Sequence, residues 1–565
     1  MTTASAPTTI PELILTSTLR WPARPALWRW RDGALTSVSY GALVGAAVQL
    51  SQRLRTYGAG PDRRVGIWVP DRFSWGVAYL GVLWSGATAI PVDPLLTPGE
   101  ARAILEEADP SLLITAGATP ILTGRGTSLP IVRLSQIWPE FVEPTAALPP
   151  APTIDPEAIA SILFTSGTSG TTKGVMLSHA NIVADIAAVA ERGLLTSRDK
   201  LLSILPIHHA FECTMGFLYP LSQGAQVAFA RGLKSGEILA DLKATGATEM
   251  IGVPLLFEKI AKGIRHRVSE APRSQRLTFA LCMALSRAFR RAGWRGAGRW
   301  LFRGVRQRAG IGSLRLLTSG AAALPPDVAE FFDTVGLPLV QGYGLSEAAP
   351  AVAVDIPGRH RYDTVGPPLP MVQVTIRDPR PDGVGEILVK GPMIMKGYWR
   401  RPAETATVIR DGWLLTGDLG TLDRDGRLRI VGRSKNVIIS GAGKNIYPEE
   451  LEAVLGDQPG ILESVVYGRS RPGRIGEAVA AVIVPDREWF ETTRPEALTD
   501  EALLRELIAA AVRNACERLA PYKRVVEWEL RREPLEKTST RKIKRLLVTA
   551  QGVAEPAKTQ AQAGT

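Results

Sequence analysis

A run of glycine and hydroxyl residues that ends in one lysine is the first candidate for chemistry: FTSGTSGTTKGVMLSHAN, beginning at Phe164. Glycine lets backbone N–H groups approach an anion closely, hydroxyl groups add donors, and Lys173 supplies a positive point charge. The spelling GxxxxGK[ST] of P-loop kinases and GTPases is absent, because Thr172 precedes the lysine and the spacing of Gly167 and Gly170 does not match. This stretch alone fits a phosphate-binding loop and an ordinary polar loop equally well.

Further polar segments follow predicted strands, where open α/β sheets place their ligand sites. In QGYGLSE, Tyr343 could stack on a base, while Ser346 and Glu347 offer a hydroxyl and a carboxylate to a phosphate and to Mg²⁺. The carboxylate of Asp418 could bind ribose hydroxyls. Each segment alone also fits a tight turn. The segments are SGAAAL (319–324), QGYGLSE (341–347), DGWLLTGD (411–418), GRSKN (432–436) and KTSTRKIKR (537–545).

Length and composition limit the class of protein. A chain of 565 residues is too long for one hydrophobic core and predicts two or more domains. The content of 45% hydrophobic and 22% charged residues is close to that of an average globular protein. Three cysteines without a CxxC pair indicate neither a disulfide framework nor a zinc cluster, and favour a reducing compartment. The first positive charge is Arg20, so we expect no signal peptide.

Hydrophobic patterning predicts the elements that must position these residues. Apolar runs alternate with helix-compatible segments, which indicates largely parallel sheets of the α/β class. The uncharged stretch from Phe73 to Val92 could span a bilayer by length, but its internal Gly86 and Pro91 favour a buried helix followed by a buried strand. From about Pro448 shorter units predict a small α+β domain. Its clearest helix has apolar residues at helical spacing: Leu503, Leu504, Leu507, Ile508, Ala511, Val512, Ala515 and Leu519.

Taken together and in this order, FTSGTSGTTKG, QGYGLSE, TGD, GRSK and a lysine near the C-terminus resemble the adenylate-forming superfamily of acyl-CoA synthetases, non-ribosomal adenylation domains and luciferases. The resemblance covers roughly residues 25–545. It implies an α/β fold with a large N-terminal domain of stacked α/β sheets that binds ATP and the acyl group (1–433). A small mobile α+β C-terminal domain (434–550) would follow, and then a tail (551–565) that we expect to be disordered.

The resemblance assigns roles to the polar segments. Lys542 would bridge the reacting carboxyl and phosphate groups, Lys173 would orient the phosphates, and Glu347 would bind Mg²⁺. The glycine and hydroxyl residues would grip the β- and γ-phosphates of ATP, and Tyr343 would lie against adenine. The residues that would contact ATP or AMP are Thr165, Ser166, Gly167, Thr168, Ser169, Gly170, Thr171, Gly320, Ala321, Tyr343, Gly344, Ser346, Asp418 and Arg433.

Three further residues acquire roles in the same way. His209 would gate the acyl pocket, Lys435 would be the hinge of a domain rotation, and Gly443 would line the tunnel of coenzyme A. A satisfied core histidine is the alternative for His209, and without a further ligand cluster we expect no metal site there. The chain departs from the family at Thr172, where relatives usually have proline, and at Asn445, where they often have arginine.

The function implied by the resemblance has two steps, with Mg²⁺ as cofactor and ATP and coenzyme A as co-substrates. A fatty acid, most like the long-chain acids of bacterial fatty acid:CoA ligases, would form acyl-AMP with release of pyrophosphate, and its acyl group would pass to coenzyme A. The alternatives are a fatty acyl-AMP ligase that loads a carrier protein, a ligase for aryl or medium-chain acids, and a non-catalytic nucleotide-binding protein. Carrier-loading enzymes tend to have an insertion before the hinge, and none separates TGD from the hinge here, which disfavours that class. The presence of Lys173, Glu347, Asp418 and Lys542 disfavours a non-catalytic protein.

One basic segment bears on partners. Residues 265–308 hold twelve arginines, one acid (Glu270) and interleaved leucine, phenylalanine and tryptophan residues. The segment is either a surface for an anionic membrane or a solvated face whose arginine stems cover a core. The net charge of +12 also fits nucleic acid, but no recognition motif accompanies it, so we expect none. We expect a cytoplasmic enzyme. Peripheral contact with the inner face of the membrane and formation of a homodimer are left open.

Overall fold

In a computed structural model of the chain, the structure describes residues 6–117, 129–138, 141, 148–166, 172–441, 444–471, 476–517, 519–537, 543–545 and 547–548. The chain divides into two compact units. The first consists of Met1–Val374, Val389–Leu414 and Asp423–Leu428, and the second of Thr375–Leu388, Leu415–Leu422 and Arg429–Thr565. The boundary predicted between residues 433 and 434, and the mobility of the smaller domain, stay predictions.

The α-helices of the described residues are α1 Ile10–Arg20, α2 Tyr40–Thr56, α3 Arg72–Trp84, α4 Pro98–Ala108, α5 Leu134–Ile137, α6 His179–Ala190, α7 Tyr219–Ser222, α8 Ser235–Thr245, α9 Pro254–Ser269, α10 Arg273–Arg291, α11 Ala297–Leu301, α12 Arg303–Arg308, α13 Pro326–Thr334, α14 Pro402–Val408, α15 Pro448–Gly456, α16 Arg487–Thr493 and α17 Glu501–Glu517. A π-helix covers Phe211–Leu218, and short 3₁₀ turns cover Ser346–Ala348 and Ser434–Asn436.

The strands of the same residues are β1 Pro25–Arg31, β2 Ala34–Ser39, β3 Arg64–Trp68, β4 Thr88–Pro91, β5 Leu112–Thr115, β6 Ile131–Arg133, β7 Ile159–Ser166, β8 Thr172–Ser178, β9 Lys200–Ser203, β10 Gln226–Phe229, β11 Glu249–Gly252, β12 Leu316–Ser319, β13 Leu339–Gly344, β14 Ala351–Val354, β15 Gln373–Arg377, β16 Gly385–Lys390, β17 Gly397–Tyr398, β18 Ile409–Arg410, β19 Trp413–Leu422, β20 Leu428–Arg433, β21 Ile438–Ile439, β22 Asn445–Ile446, β23 Ile461–Ser470, β24 Glu477–Pro485 and β25 Glu527–Leu530.

Two mixed, mainly parallel sheets form the first unit. One has the strand order β17-β8-β7-β4-β3-β5-β6, and the other has the order β14-β13-β12-β11-β9-β10-β1-β2. Their central strands pair in parallel and are apolar on both faces; the consecutive residues Leu112, Leu113 and Ile114 of β5, for example, are all fully buried. Burial on both faces is typical of parallel strands covered by helices. The predicted α/β class with stacked sheets is therefore confirmed for this unit.

The uncharged stretch from Phe73 to Val92 forms a buried helix and a buried strand, as predicted. Asp71 is the N-cap residue of helix α3, and its carboxylate accepts a hydrogen bond from the backbone N–H of Ser74 at 2.8 Å. Gly81 lets α3 approach α2, because a Cβ there would lie 2.6 Å from Cδ2 of Leu50. Among the described residues, no helix has the length and the apolar character needed to cross a membrane.

The second unit includes a small α+β core, which confirms the predicted class of the C-terminal region. Strands β23, β24 and β25 form a three-stranded sheet, and β21 pairs with β22. Leu451 of α15, Ile483 of β24 and Ile508 of α17 share one buried apolar cluster. The helix predicted from the apolar repeat is α17, although Leu503 and Leu507 lie at the partly buried edge of the cluster. The tail predicted to be disordered lies outside the described residues.

Candidate active site

The segment with the predicted phosphate loop joins two antiparallel strands. β7 and β8 pair with Thr165 opposite Lys173, so the lysine lies at the base of the connection. A Cβ on the next residue, Gly174, would lie 2.8 Å from Cγ2 of Ile162, which explains a glycine at this point. Of Ser166, at the end of β7, only the backbone is described. The predicted loop residues between the two strands lie outside the described residues; they are Gly167, Thr168, Ser169, Gly170 and Thr171.

Lys173 contacts two residues that the sequence analysis did not single out. Its Nζ lies 2.5 Å from Oε2 of Glu404 and 5.0 Å from the centroid of the Tyr398 ring. Arg401 binds the other oxygen of Glu404, with Nη1 at 3.1 Å from Oε1. The hydrogen bond from Lys173, followed by that from Arg401, lowers the pKa of Glu404 below its usual value. Lys173 therefore lies beside a carboxylate oxygen, which is anionic like the phosphate oxygens that it is predicted to bind.

Tyr398 also connects Lys173 to Glu347. The Tyr398 hydroxyl donates a hydrogen bond to Oε1 of Glu347 at 3.0 Å. Strand pairing fixes this arrangement, because Tyr398 lies opposite Val175 in the β17–β8 pair, two residues from Lys173. The backbone N–H of Met395 in turn donates to the Glu347 carbonyl at 2.9 Å. The structure therefore brings two predicted catalytic residues together through a tyrosine that no sequence spacing connects to either of them.

The predicted adenine-binding residues lie at the ends of two neighbouring parallel strands. β12 and β13 pair with Ser319 opposite Gln341, which places Gly320 and Ala321 beside the strand that carries Tyr343 and Gly344. Ala321 has a φ of 71°, a left-handed conformation that is rare for alanine. A Cβ at Gly344 would lie 1.8 Å from the carbonyl oxygen of Pro350, so only glycine fits there.

Ser346 and Glu347 follow β13 directly. Both lie in the 3₁₀ turn Ser346–Ala348, which the backbone N–H of Leu345 closes by donating to the Pro350 carbonyl at 2.9 Å. The hydroxyl and the carboxylate predicted to serve phosphate and Mg²⁺ are therefore presented at the end of the same strand that carries Tyr343.

The second unit contains the predicted ribose-binding pair. Oδ1 of Asp418 lies 2.7 Å from Nε of Arg433, and Asp418 is buried within β19 rather than at a strand end. Lys435, the predicted hinge, lies in the 3₁₀ turn Ser434–Asn436 that follows β20. The predicted tunnel residue Gly443 and the predicted catalytic Lys542 lie outside the described residues.

His209 belongs to a small polar cluster of the first unit. Its ring lies 4.4 Å from that of His208, measured between centroids, and Nε2 of His208 lies 3.4 Å from Oδ2 of Asp93. One ligand atom from each of the three residues lies within 4.8 Å of the others, so the group could hold a metal ion. The sequence did not predict that Asp93 joins the two histidines, and the expectation of no metal site there stays a prediction. Asp93 follows β4 and lies far from them in sequence, and only the fold makes them neighbours.

Glu212 is a buried acid beside this cluster that the sequence analysis missed. Its Oε1 accepts a hydrogen bond from the Ser203 hydroxyl at 2.5 Å, while Oε2 is buried without a hydrogen-bond partner among the described residues. Burial raises the pKa of Glu212 to about 7, although the hydrogen bond from Ser203 and the charge of Arg72 act in the opposite direction. The sequence offered one signal for this residue, an acid within the apolar stretch FECTMGF.

The raised pKa of Glu212 predicts a pH dependence of stability. The folded chain favours the neutral acid, so this contribution is fully present below pH 4.5 and is lost as the pH rises through about 7. A difference of about 2.5 pKa units corresponds to at most about 3 kcal/mol. We expect the free energy of unfolding of Glu212→Gln to fall less between pH 5 and pH 8 than that of the unsubstituted chain.

Urea titrations at the two pH values measure this difference. Glu191→Gln replaces an exposed carboxylate and serves as the matched control, which should retain the original pH dependence. An equal fall in stability for Glu212→Gln and the unsubstituted chain would contradict the assignment.

Comparison with protein families gives two matches. Residues 16–399 match the model of the AMP-binding enzymes, and residues 450–542 match that of the AMP-binding enzyme C-terminal domain. A feruloyl-CoA synthase of Amycolatopsis sp is 32% identical over 482 residues, which cover 82% of this chain and 88% of the relative. A long-chain-fatty-acid–CoA ligase of Bacillus subtilis (strain 168) is 29% identical over 584 residues, which cover 95% and 93%.

Solved structures agree in fold. The ATP-bound MatB of Rhodopseudomonas palustris superposes with a TM-score of 0.75 at 24% identity and covers 97% of this chain and 99% of its own. The o-succinylbenzoate coenzyme A synthetase of Bacillus subtilis, solved with ATP and magnesium ion, gives a TM-score of 0.72 at 22% identity, with 95% and 99% covered. These likenesses confirm the acyl-CoA synthetase-like fold predicted from the sequence.

Proposed function

This chain belongs to the family of AMP-binding enzymes, and from that premise we propose that it joins a long-chain fatty acid to coenzyme A. The reaction class is that of an adenylate-forming acid:CoA ligase, with ATP and coenzyme A as co-substrates. A carboxylate oxygen of the acid attacks the α-phosphorus of ATP, and the bond to the β-phosphate breaks with loss of pyrophosphate. The thiol of coenzyme A then attacks the acyl carbon, a C–S bond forms, and AMP and the thiol proton leave.

The observation that carries this proposal is the arrangement of Lys173, Tyr398 and Glu347. A cation and a carboxylate lie on either side of one tyrosine, in contact with its ring and its hydroxyl respectively. Negative charge spreads over phosphate oxygens during adenylation, so a preorganised cation stabilises the transition state. The same geometry serves Mg²⁺, because carboxylate oxygen is a preferred ligand of this ion and the Tyr398 hydroxyl orients the Glu347 carboxylate through Oε1.

We assign roles to the remaining motif residues on the family resemblance. Lys542 carries the charge at the carboxyl–phosphate centre, and the paired Asp418 and Arg433 bind ribose. Lys435 is the hinge about which the smaller domain moves between the two half-reactions, and the move exchanges Lys542 for the segment with Gly443. His209 faces the acyl group.

Coverage of the relatives supports a long-chain acid. The match to the Bacillus subtilis long-chain ligase extends over 95% of this chain, whereas the match to the feruloyl-CoA synthase covers 82%. The higher identity of the feruloyl-CoA synthase, 32% against 29%, favours an aryl acid as the second candidate. Transfer to a carrier protein in place of coenzyme A is the third.

A panel of acids separates these candidates. We expect ATP-dependent pyrophosphate release with palmitate that exceeds the release with octanoate or ferulate by at least about tenfold in kcat/KM, a difference of about 1.4 kcal/mol. Mass spectrometry with and without coenzyme A identifies the product. Ferulate as the best substrate would overturn the long-chain proposal in favour of the aryl one. Acyl-adenylate that accumulates in the presence of coenzyme A would indicate a carrier-loading enzyme, and no release with any acid would overturn the ligase.

Lys542→Ala tests the assigned catalytic lysine. Loss of the charge at the developing transition state should reduce pyrophosphate release by at least about 100-fold, while ATP binding measured by calorimetry changes little. Lys544→Ala removes a charge two residues away in the same segment and is the matched control. A Lys542→Ala variant that releases pyrophosphate at the unsubstituted rate would refute the role.

Tyr398→Phe tests a positioning role for the tyrosine. The substitution removes the hydroxyl that holds Glu347 but keeps the ring against which Lys173 lies. We expect the Mg²⁺ concentration for half-maximal pyrophosphate release to rise by about three- to tenfold, the loss of one hydrogen bond to a charged group, with a smaller change in the KM for the acid. Tyr57→Phe changes an exposed tyrosine elsewhere and should leave the Mg²⁺ dependence unaltered. The same Mg²⁺ dependence in Tyr398→Phe would exclude this role.

A further inference from the structure

One side of helix α10 contacts the first unit through polar groups and through Phe279, whose ring packs edge-to-face on buried Phe302 with 5.3 Å between centroids. Ser286 is the one buried residue of this 19-residue helix, all of which the structure describes, and its hydroxyl donates to the Thr334 carbonyl at 2.7 Å. Arg290 binds Asp333 of α13, with 2.8 Å between Nη2 and Oδ2. Arg287 binds Glu330, which also belongs to α13, with 3.1 Å between Nε and Oε1. These contacts therefore fix the side of α10 that faces the protein.

A row of four apolar residues lies on the opposite side of α10. Leu277, Leu281, Leu285 and Phe289 follow one another at intervals of four, which places them along one face of the helix. Leu277 is 62% exposed and Leu281 60%, and the other two are also exposed. A surface helix normally turns such a stripe towards the core. In α10 the stripe faces away from it.

Two tryptophans extend this surface beyond the helix. Trp294 is 54% exposed, and its ring packs edge-to-face on Phe289 with 5.0 Å between centroids. Trp300 of α11 is 73% exposed. Tryptophan is enriched where apolar and aqueous phases meet. We call the exposed apolar residues of α10, together with Trp294 and Trp300, the apolar stripe.

Positive charge surrounds the apolar stripe. Of the twelve arginines in residues 265–308, Arg265 binds Asp327, and Arg287 and Arg290 bind the acids of α13 named above. Over the ranges that the structure describes, eight others form no ion pair with an acidic side chain: Arg267, Arg273, Arg276, Arg291, Arg295, Arg299, Arg303 and Arg308. Arg273 lies one turn before Leu277 on α10, and Arg291, at the other end of the helix, lies at a similar angle about its axis.

We propose that this face of the protein binds the surface of an anionic phospholipid bilayer. The apolar stripe would enter the boundary between headgroups and acyl chains, and the arginines would contact lipid phosphates. Helix α10 is about 28 Å long and lies in the membrane plane. The proposal concerns binding alone and holds whichever acid the enzyme uses.

Charge decides between a lipid surface and the other occupants of an apolar face. A second copy of the chain would bring one arginine-rich surface against another, and like charges oppose such a contact. Nucleic acid would neutralise the arginines but would leave the leucine and tryptophan side chains without an apolar partner. An anionic bilayer complements both the charge and the apolar surface.

Flotation of the purified full-length protein with lipid vesicles tests the proposal. We expect binding to vesicles of phosphatidylcholine with about one third phosphatidylglycerol, and at least about tenfold weaker binding to phosphatidylcholine alone. Raising the salt concentration from about 0.1 M to about 0.5 M should weaken the binding, because screening reduces the attraction to the lipid phosphates. Equal binding to the two kinds of vesicle, or no binding to either, would overturn it.

Substitutions separate the two contributions. The triple variant Leu277→Ser, Leu281→Ser and Leu285→Ser should bind anionic vesicles at least about tenfold more weakly. The pair Arg273→Gln and Arg276→Gln should weaken binding by about tenfold or more and reduce its salt dependence. The matched control is Leu19→Ser with Leu95→Ser, which changes two exposed leucines outside the segment and should bind like the unsubstituted chain.

The same samples test the other occupants. All variants change exposed side chains, so their unfolding temperatures should match that of the unsubstituted chain. Sedimentation that shows a dimer of the unsubstituted chain and a monomer of the triple leucine variant, without vesicle binding, would overturn the proposal in favour of self-association. Binding to double-stranded DNA without binding to vesicles would overturn it in favour of nucleic acid.

Discussion

The pairing of β17 with β8 is the constraint on which the candidate active site depends. β17 contains two residues, and backbone hydrogen bonds on both sides of it extend the pairing. The N–H of Lys396 donates to the Met176 carbonyl at 2.9 Å, and that of Trp399 donates to the Gly174 carbonyl at 2.7 Å. Indole Nε1 of Trp399 also donates to the Glu107 carbonyl at 3.0 Å. These contacts fix Tyr398 beside Lys173, and α14, which begins at residue 402, brings Glu404 to the same lysine.

A buried acid supports the segment of His209 in a comparable way. Glu212 accepts a hydrogen bond from the hydroxyl of Ser203, the last residue of β9, where the connection that leads to the histidines starts. The π-helix begins one residue before Glu212, and Gly216 within it leaves room for the carboxylate, because a Cβ there would lie 2.5 Å from Cδ of Glu212. π-helical turns are frequent at functional sites.

The sequence predicted candidate site residues but not the contacts between them. Motifs and the family resemblance named Lys173, Glu347, Asp418 and Arg433, because phosphate, metal and ribose binding favour particular residue types, and the roles of these residues stay predictions. Tyr398 and Glu404 could not be found in this way, since their importance comes from pairing with a strand more than two hundred residues earlier. Apolar periodicity predicted the α/β class of the first unit and the α+β core of the second. The predicted domain boundary stays a prediction, and the chain contributes separate segments to each compact unit.

Helix α10 shows why periodicity cannot give orientation. A stripe of leucines every four residues predicts an amphipathic helix, but the repeat is the same whether the stripe faces the core or solvent. Orientation depends on which partners the fold supplies, and α13 supplies Glu330, Asp333 and the Thr334 carbonyl to α10. Arginine and serine satisfy those partners, and Phe279 packs on Phe302. With these contacts on the inner side of α10, the apolar stripe is exposed.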